Sequence, residues 1–244
     1  MKKQLIDKIP ARLDFTQTAT GVVLALFIMG HLLFEASILI SHEMMYKVTI
    51  MFEGYYFFGE TYPGIVSFLA AAIFVIFIVH AGIAMRKFPS SYKQYKIMKQ
   101  HTFSMKHEDS SLWIIQIVTG FMMFFIGSIH LYTMISQSGN IGPFASSSRV
   151  VDELMGPLYL VLLVCVVLHA FIGLYRAALK WGFMEGKNTK ASRKIFKIIM
   201  NTMILFYILL GSLSLAKYTY IGFTHDFGDQ VKYRSETINL ESHE

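Results

Sequence analysis

Long apolar segments separated by polar loops recur along this 244-residue chain. Each segment is about 20 residues or longer, which is the length of helix that spans a bilayer. The pattern predicts an all-α membrane bundle of five transmembrane helices, with one domain at residues 1–217 and a polar tail at residues 218–244. The predicted spans are residues 18–41, 64–86, 112–135, 155–179 and 196–216.

Cations cluster in alternate loops, which predicts an orientation. The N-terminal arm and the loops at 86–107 and 180–197 are rich in Lys and Arg, whereas the opposite loops contain only Lys47 and Arg149. Because cytoplasmic loops carry the excess of Lys and Arg, we expect a cytoplasmic N-terminus and a periplasmic C-terminus in a bacterial inner membrane. Orientation already accounts for the net charge of +6, so we expect no nucleic-acid partner.

One histidine lies within each of the first four spans: His31, His80, His130 and His169. At 1.5 Å of rise per residue, His31 and His130 lie roughly 21 and 25 Å from the inner face, in the outer half. His80 and His169 lie about 10 and 16 Å from that face, in the inner half. Depth therefore pairs His31 with His130, and His80 with His169.

Ionisable side chains within a membrane are costly and usually functional. Two matched pairs on different helices suit the axial ligands of two b-type haems, because bundle cores hold cofactors between facing helices. Two histidines on one iron leave no open position, which favours electron transfer over oxygen chemistry. The single Cys165 cannot provide the several thiolates that an iron–sulfur cluster needs.

Two other interpretations of the histidines stay open at this point. A lone buried histidine is most often a hydrogen-bonded core residue, although four at two matched depths are hard to explain in that way. A haem-free transporter would use them as a proton relay, but it predicts carboxylates beside them. The spans contain almost no carboxylates.

The chain resembles the dihaem cytochrome b membrane-anchor subunits of menaquinol:fumarate reductases, in the succinate dehydrogenase superfamily, and most closely the epsilonproteobacterial type. The matching stretches keep their spacing from about residue 8 to the end of the fifth span. They are ARLDFTQTATG, the GH at 30–31, VSFLAA, VHAGIAMRKFP, YKQYK, SLWIIQ, TGFMMFFIGSIHLY, IGPFASSSR, PLYLVLL and LHAFIGLYRAALKWG.

The resemblance implies an inner, proximal haem held by His80 and His169 and an outer, distal haem held by His31 and His130. It also implies menaquinone as the membrane substrate. The expected partners are an iron–sulfur subunit and an FAD flavoprotein on the cytoplasmic side, where the dicarboxylate site lies, in a complex that forms dimers of heterotrimers. The chain would thus be the membrane subunit of an enzyme of anaerobic respiration.

The resemblance further implies contacts to the haem propionates. Gln17, Thr18, Trp113 and Lys180 match positions near the proximal propionates, and Arg149 is the corresponding residue near the distal haem. An amide, a hydroxyl, an indole N–H and an ammonium can all donate hydrogen bonds to a carboxylate. The alternative role for Trp113 and Lys180 is anchoring at the membrane interface, which is common for both residue types.

Two glutamates are expected to handle protons. Glu53 lies in the segment between the first two spans, where the family has a glutamate needed for menaquinol oxidation, so we predict that it accepts the quinol proton. Glu35 lies one turn after His31 and on the same helix face. The family does not support Glu35, and our hypothesis for it rests on position alone; the alternative is an acid that reaches the outer headgroups.

Val167 is a departure from the family pattern. The family usually has a glutamate two residues before the last haem histidine, proposed to carry protons inward with the electrons. A valine carries no proton, so a coupled path through the fourth span is in doubt. Uncompensated quinol oxidation outside and fumarate reduction inside would work against the membrane potential, at about 2.3 kcal/mol per charge per 100 mV. The sequence then favours succinate oxidation, or another proton route.

The predicted function is electron transfer between menaquinol or menaquinone and cytoplasmic subunits of a quinol:fumarate or succinate:quinone reductase. A cytochrome b anchor of another respiratory oxidoreductase, such as a hydrogenase or formate dehydrogenase, is the first alternative, and co-purifying subunits would separate the two. The haem-free transporter is the second alternative, and the absence of a haem spectrum would favour it.

Overall fold

The computed structural model describes residues 8–88, 91–104, 108–183 and 188–224. Parts of the predicted N-terminal arm and cation-rich loops, and residues 225–244 of the predicted tail, lie outside these residues. The described chain folds into the following helices: α1 (Ile9–Glu35), α2 (His42–Phe52), α3 (Tyr55–Phe58), α4 (Pro63–Met85), α5 (Tyr92–Ser104), α6 (Glu108–Ser136), α7 (Pro143–Val151), α8 (Gly156–Lys180) and α9 (Thr189–Thr224).

Five helices in this part of the chain are long and apolar enough to cross a membrane, as predicted: α1 with its 3₁₀ extension, α4, α6, α8 and α9. Several begin at a proline in the first turn, as at Pro63 and Pro157. A proline is tolerated there because its missing N–H would have no intrahelical partner. Large apolar side chains such as Phe68 and Phe121 are exposed on these helices, as expected of surfaces that face lipid.

Helices α1, α4, α6 and α8 form a four-helix ring. Contacts run from α1 to α4, from α4 to α6, from α6 to α8 and from α8 back to α1. The helices α1 and α6 are therefore diagonally opposite, and so are α4 and α8. This arrangement leaves the axis of the bundle to side chains from all four helices.

Helix α9 packs outside the ring, against α8, α7 and α1. It continues to Thr224, although we predicted the end of the fifth span at residue 216 and a polar tail from residue 218. The extension is helical because Tyr218 and Ile221 are buried against Ile38, Met45 and Val150. These two side chains were not predicted to be buried, because the composition of the tail is polar.

Short helices fill the segments between spans at one end of the bundle. Helix α2 begins after Ser41, whose hydroxyl accepts a hydrogen bond from the Met44 N–H at 3.0 Å, as an N-cap residue does. Helices α2 and α7 pack against each other and against neighbouring helices. We call this end of the bundle the Glu53 end and the opposite end, where α1 begins, the Asp14 end. Within the cation-rich loop at the Asp14 end, residues 92–104 form the helix α5.

Candidate functional site

A cavity of about 1200 Å³ occupies the axis of the four-helix ring. It is larger than the 300–1,000 Å³ that is usual for a single small-molecule site. All four intramembrane histidines line it, together with many apolar side chains. The cavity reaches from Lys180 at the Asp14 end to Glu35 at the Glu53 end.

The histidines meet as two pairs inside this cavity. The ring centroids of His31 and His130 are 6.2 Å apart, and those of His80 and His169 are 6.3 Å apart. Each pair joins diagonally opposite helices, α1 with α6 and α4 with α8. The structure thus brings together the same partners as the depth argument.

The spacing of each pair fits a single metal between two imidazoles. With metal–nitrogen distances of about 2 Å, the centres of two rings on opposite sides of one metal lie roughly 6 Å apart. Nδ1 of His80 and Nδ1 of His169 are turned toward the backbone carbonyls of Gln17 and Gln116, at 3.0 and 2.9 Å. Their Nε2 atoms are therefore left for a ligand role, as in a haem with two axial histidines.

Polar donors gather at the Asp14 end of the cavity. Gln17, Thr18, Trp113 and Lys180 all line it, and the Lys180 ammonium donates to the Thr18 hydroxyl at 3.3 Å. This set of donors suits the carboxylates of a haem propionate.

Asp14 organises this end, and our sequence analysis missed it. Its carboxylate pairs with Arg86, with Lys87 at 3.1 Å and with Lys180 at 3.7 Å. The Asp14 carbonyl also accepts a hydrogen bond from Lys180 at 3.2 Å. One acid therefore links the ends of α1, α4 and α8. An aspartate at the start of the first span, after a cation-rich arm, was the available signal in the sequence.

Arg149 is the buried cation near the His31–His130 pair. Its side chain is 3% exposed and lines the cavity. It donates to the Gln137 side chain at 3.3 Å and to the Asn140 carbonyl at 2.8 Å. Its Nε is buried without a hydrogen-bond partner among the described residues. Arg149 belongs to the short helix α7, before the fourth span, and this helix directs it into the bundle.

Glu53 is fully buried at the C-cap of α2. Gly54 follows it with a φ of 87°, a left-handed conformation that favours glycine and turns the chain. The Glu53 carbonyl accepts a hydrogen bond from the Tyr62 N–H at 2.9 Å. Thr49 and Phe52, on the same helix, line the cavity. Glu53 itself does not line the cavity, but it is buried next to residues that do, rather than lying in a solvated loop.

The phenol of Tyr46 lies close to Glu53. Burial raises the pKa of the Tyr46 hydroxyl, and the negative charges of Glu53 and Tyr55 add to the increase. Tyr46 therefore stays a neutral hydroxyl close to Glu53 at ordinary pH.

Glu35 contacts a residue of the last spanning helix. The Tyr218 hydroxyl on α9 donates to its carboxylate at 3.0 Å, and both residues line the cavity. Tyr159 lies edge-on to the ring of His130, with centroids 5.4 Å apart. Tyr218 was not foreseen, because we placed it in the polar tail.

Val167 is fully buried, with 0% exposure. It belongs to an apolar cluster between α8 and α9 that includes Phe171, Met200 and Tyr207. The surroundings of Val167 are therefore closely packed and apolar.

Known proteins are similar in sequence to this chain. A family model described as the succinate dehydrogenase/fumarate reductase transmembrane subunit matches residues 93–210. The fumarate reductase cytochrome b subunit of Wolinella succinogenes is 48% identical over 212 residues, covering 87% of this chain and 83% of the relative. That of Helicobacter pylori strain J99 is 48% identical over 231 residues, covering 95% and 89%. The chain belongs to the family of fumarate reductase cytochrome b subunits.

Proposed function

We propose that this chain binds two b-type haems and carries electrons between menaquinone at the Glu53 end and cytoplasmic subunits at the Asp14 end. The single observation that carries the proposal is the presence of two histidine pairs, each with a centroid spacing near 6 Å, in one continuous cavity. The word cytochrome in the names of the relatives supports haem as the cofactor.

His80 and His169 would hold the proximal haem, and His31 and His130 the distal haem. Each haem, when bound, would supply a one-electron redox centre. The histidines hold their rings across the cavity from rigid spanning helices, so little rearrangement accompanies a change of charge. The surrounding apolar side chains exclude water.

The ends of the cavity would hold the propionates. Gln17, Thr18, Trp113 and Lys180 would donate to those of the proximal haem, with Lys180 positioned by Asp14. Buried Arg149 would donate its Nε–H to the distal haem, which places the orphaned polar atom in a charge-assisted hydrogen bond.

Glu53 would accept the proton when menaquinol is oxidised. A quinol that loses electrons must also lose its hydroxyl protons, and a carboxylate within hydrogen-bond reach assists that loss. Tyr46 beside Glu53 stays protonated and supplies a neutral hydrogen-bond partner. Glu35, held by Tyr218, would assist proton handling near the distal haem.

The Asp14 end would face the cytoplasm and bind the iron–sulfur subunit, which connects to an FAD flavoprotein that holds the dicarboxylate site. Exposed cations gather there, on Lys87 and Lys180 and along the helix α5. An acidic partner surface is complementary to such an end. The trimer would assemble into a dimer of heterotrimers. The family assignment favours these partners over those of a hydrogenase or formate dehydrogenase.

Replacing single histidines tests the proposal. We expect reduced-minus-oxidised spectra of the purified complex to show two low-spin b haems per chain. His80→Ala or His169→Ala should remove one haem, and His31→Ala or His130→Ala the other. A wild-type complex without a haem band would refute the proposal, and so would two variants from one pair that remove different haems.

A further inference from the structure

A five-residue pattern, Gln-x-x-Thr-Gly, occurs twice in the spanning helices. It appears as QTATG at 17–21 in α1 and as QIVTG at 116–120 in α6. These helices are diagonally opposite and carry neither His80 nor His169. Both copies nevertheless contact that histidine pair, one copy for each ring.

The first copy contacts His80 through three groups. Nδ1 of His80 lies 3.0 Å from the Gln17 carbonyl and 3.2 Å from Oγ1 of Thr20. The Thr20 hydroxyl donates to the Thr16 carbonyl at 2.7 Å, so its oxygen is left to accept from the imidazole. A Cβ on Gly21 would lie 2.9 Å from Cε1 of His80.

The second copy repeats this geometry around His169. Nδ1 lies 2.9 Å from the Gln116 carbonyl and 3.4 Å from Oγ1 of Thr119. The Thr119 hydroxyl donates to the Ile115 carbonyl at 2.7 Å. A Cβ on Gly120 would lie 2.7 Å from Cε1 of His169. The Gln carbonyl, the Thr hydroxyl and the Gly thus contact the histidine ring in the same way in both copies.

The contacts fix the chemistry of both rings. A carbonyl can only accept, so the proton lies on Nδ1, and Nε2 keeps the lone pair that a metal needs. A hydrogen bond from Nδ1–H makes the imidazole a more basic ligand. Each glycine weakens its helix relative to alanine. The absence of a Cβ at each glycine allows the imidazole ring to approach the helix backbone.

The other histidine pair differs. Nδ1 of His130 is buried without a hydrogen-bond partner in the described part of the chain, and its ring instead lies edge-on to Tyr159. The repeated Gln-x-x-Thr-Gly pattern therefore contacts the His80–His169 pair, whereas the His31–His130 pair has different surroundings.

We infer that Thr20 and Thr119, within the two Gln-x-x-Thr-Gly segments, are positioning residues that fix the axial histidines of the proximal haem and lower its redox potential. This inference rests on the proposed haem function. A more basic ligand stabilises the ferric state, so loss of an acceptor at Nδ1 raises the midpoint potential. The distal haem serves as a reference within the same molecule.

The first test replaces each threonine in the complete complex and measures both haem potentials by redox titration. Thr20→Val and Thr119→Val remove the hydroxyl acceptor, leave the Gln carbonyl and keep the branched shape, and each should raise the proximal potential alone. Thr20→Ser and Thr119→Ser keep the hydroxyl and should restore the wild-type value. Thr219→Val is the matched control, because Thr219 makes the same bond to a carbonyl four residues earlier at 2.8 Å.

The second test adds a Cβ at the glycines. Gly21→Ala and Gly120→Ala should displace the imidazole and change the low-spin electron paramagnetic resonance signal of the proximal haem, or lower its occupancy. Gly82→Ala is the control, because no heavy atom lies within 4 Å of a Cβ added there. Should a glycine variant fail to assemble, the threonine series decides.

The outcomes separate this inference from the proposed function. A wild-type complex without b haems refutes the proposed function. A complex with two haems whose proximal potential moves no more in Thr20→Val and Thr119→Val than in Thr219→Val overturns the inference alone. A shift of both haem potentials to the same extent also overturns it, because the two Gln-x-x-Thr-Gly segments contact only the His80–His169 pair.

Discussion

The Tyr218 hydroxyl donates a hydrogen bond to the Glu35 carboxylate across 3.0 Å and so ties the last spanning helix to the first. Tyr218 is 5% exposed, and Glu35 lies one helical turn after His31. The pair places a fixed carboxylate on the cavity wall close to the distal histidine pair. At this position the Glu35 carboxylate would influence the charge of a haem held by His31 and His130.

Glu35→Gln should raise the midpoint potential of the distal haem and slow menaquinol oxidation by roughly tenfold, less than the loss of a direct acid–base group. The amide oxygen still accepts from Tyr218, so the change removes the charge and not the hydrogen bond. Redox titration and turnover with a soluble menaquinol analogue measure the two effects. Unchanged activity together with an unchanged distal potential would remove Glu35 from the mechanism.

Tyr218→Phe should destabilise the assembled protein by about 1.5–3 kcal/mol, because it removes a hydrogen bond to a carboxylate in a largely buried site. Thermal unfolding in detergent measures this loss. Tyr220→Phe is the control, since Tyr220 lies on the same helix and is 62% exposed. Equal stabilities of the two variants would show that the bond to Glu35 does not hold α9 in place.

Glu53→Gln should abolish most menaquinol oxidation, by about 10²-fold or more, since it removes the proton acceptor. The haem content and the spectra of both haems should stay as in the wild type, because the amide fills the same buried space. Glu60→Gln is the matched control: Glu60 lies in the same connection but on an exposed site, where it accepts from Tyr62 at 3.3 Å. Comparable activity of the two variants would contradict the role of Glu53.

The spans and the partners of the histidines were predictable, because both follow from helix rise and from the alternation of charged loops. His31 and His130 lie in different spans with 98 residues between them, yet their location in the same half of the membrane was enough to pair them. The diagonal arrangement of α1 and α6 was not available from the sequence. It depends on which helices are neighbours, and hydrophobicity alone does not encode that.

The connections between spans could not be predicted in the same way. Arg149 and Glu53 were expected near the distal haem, in segments outside the spans, but the short helices α7 and α2 that bury them were not predicted. Tyr218 was assigned to a tail because its neighbours are polar. The Gln-x-x-Thr-Gly pattern was visible twice in the sequence, yet its meaning needed the approach of His80 and His169 from other helices.

Asp14→Asn should lower the stability of the complex modestly, by about 1 kcal/mol, because its three ion pairs are partly exposed and screened by water. The loss should shrink at high salt. Glu43→Gln is the control, since it breaks only the exposed pair with Lys47 on one helix. Thermal unfolding at low and high ionic strength measures both. A loss that does not depend on salt would show that the ion pairs of Asp14 do not account for the stability lost in this variant.

The valine at position 167 leads to a prediction about the membrane potential that the complex builds during turnover. We expect menaquinol-driven fumarate reduction in sealed liposomes to build a membrane potential, or to run slowly against one, because no acid at this position carries protons inward with the electrons. The cost of an imposed potential is about 2.3 kcal/mol per charge per 100 mV. A voltage-sensitive dye and the rate with and without an ionophore measure both effects.

Val167→Glu gives the sharpest comparison, with Val167→Gln as the control of equal size that carries no proton. Both changes place a polar group in the apolar cluster of Phe171, Met200 and Tyr207, so both should destabilise the bundle to a similar degree. Only Val167→Glu should reduce the voltage per turnover. Fast fumarate reduction without a voltage in the wild-type protein would contradict the role of Val167 and would require a proton route elsewhere in the chain.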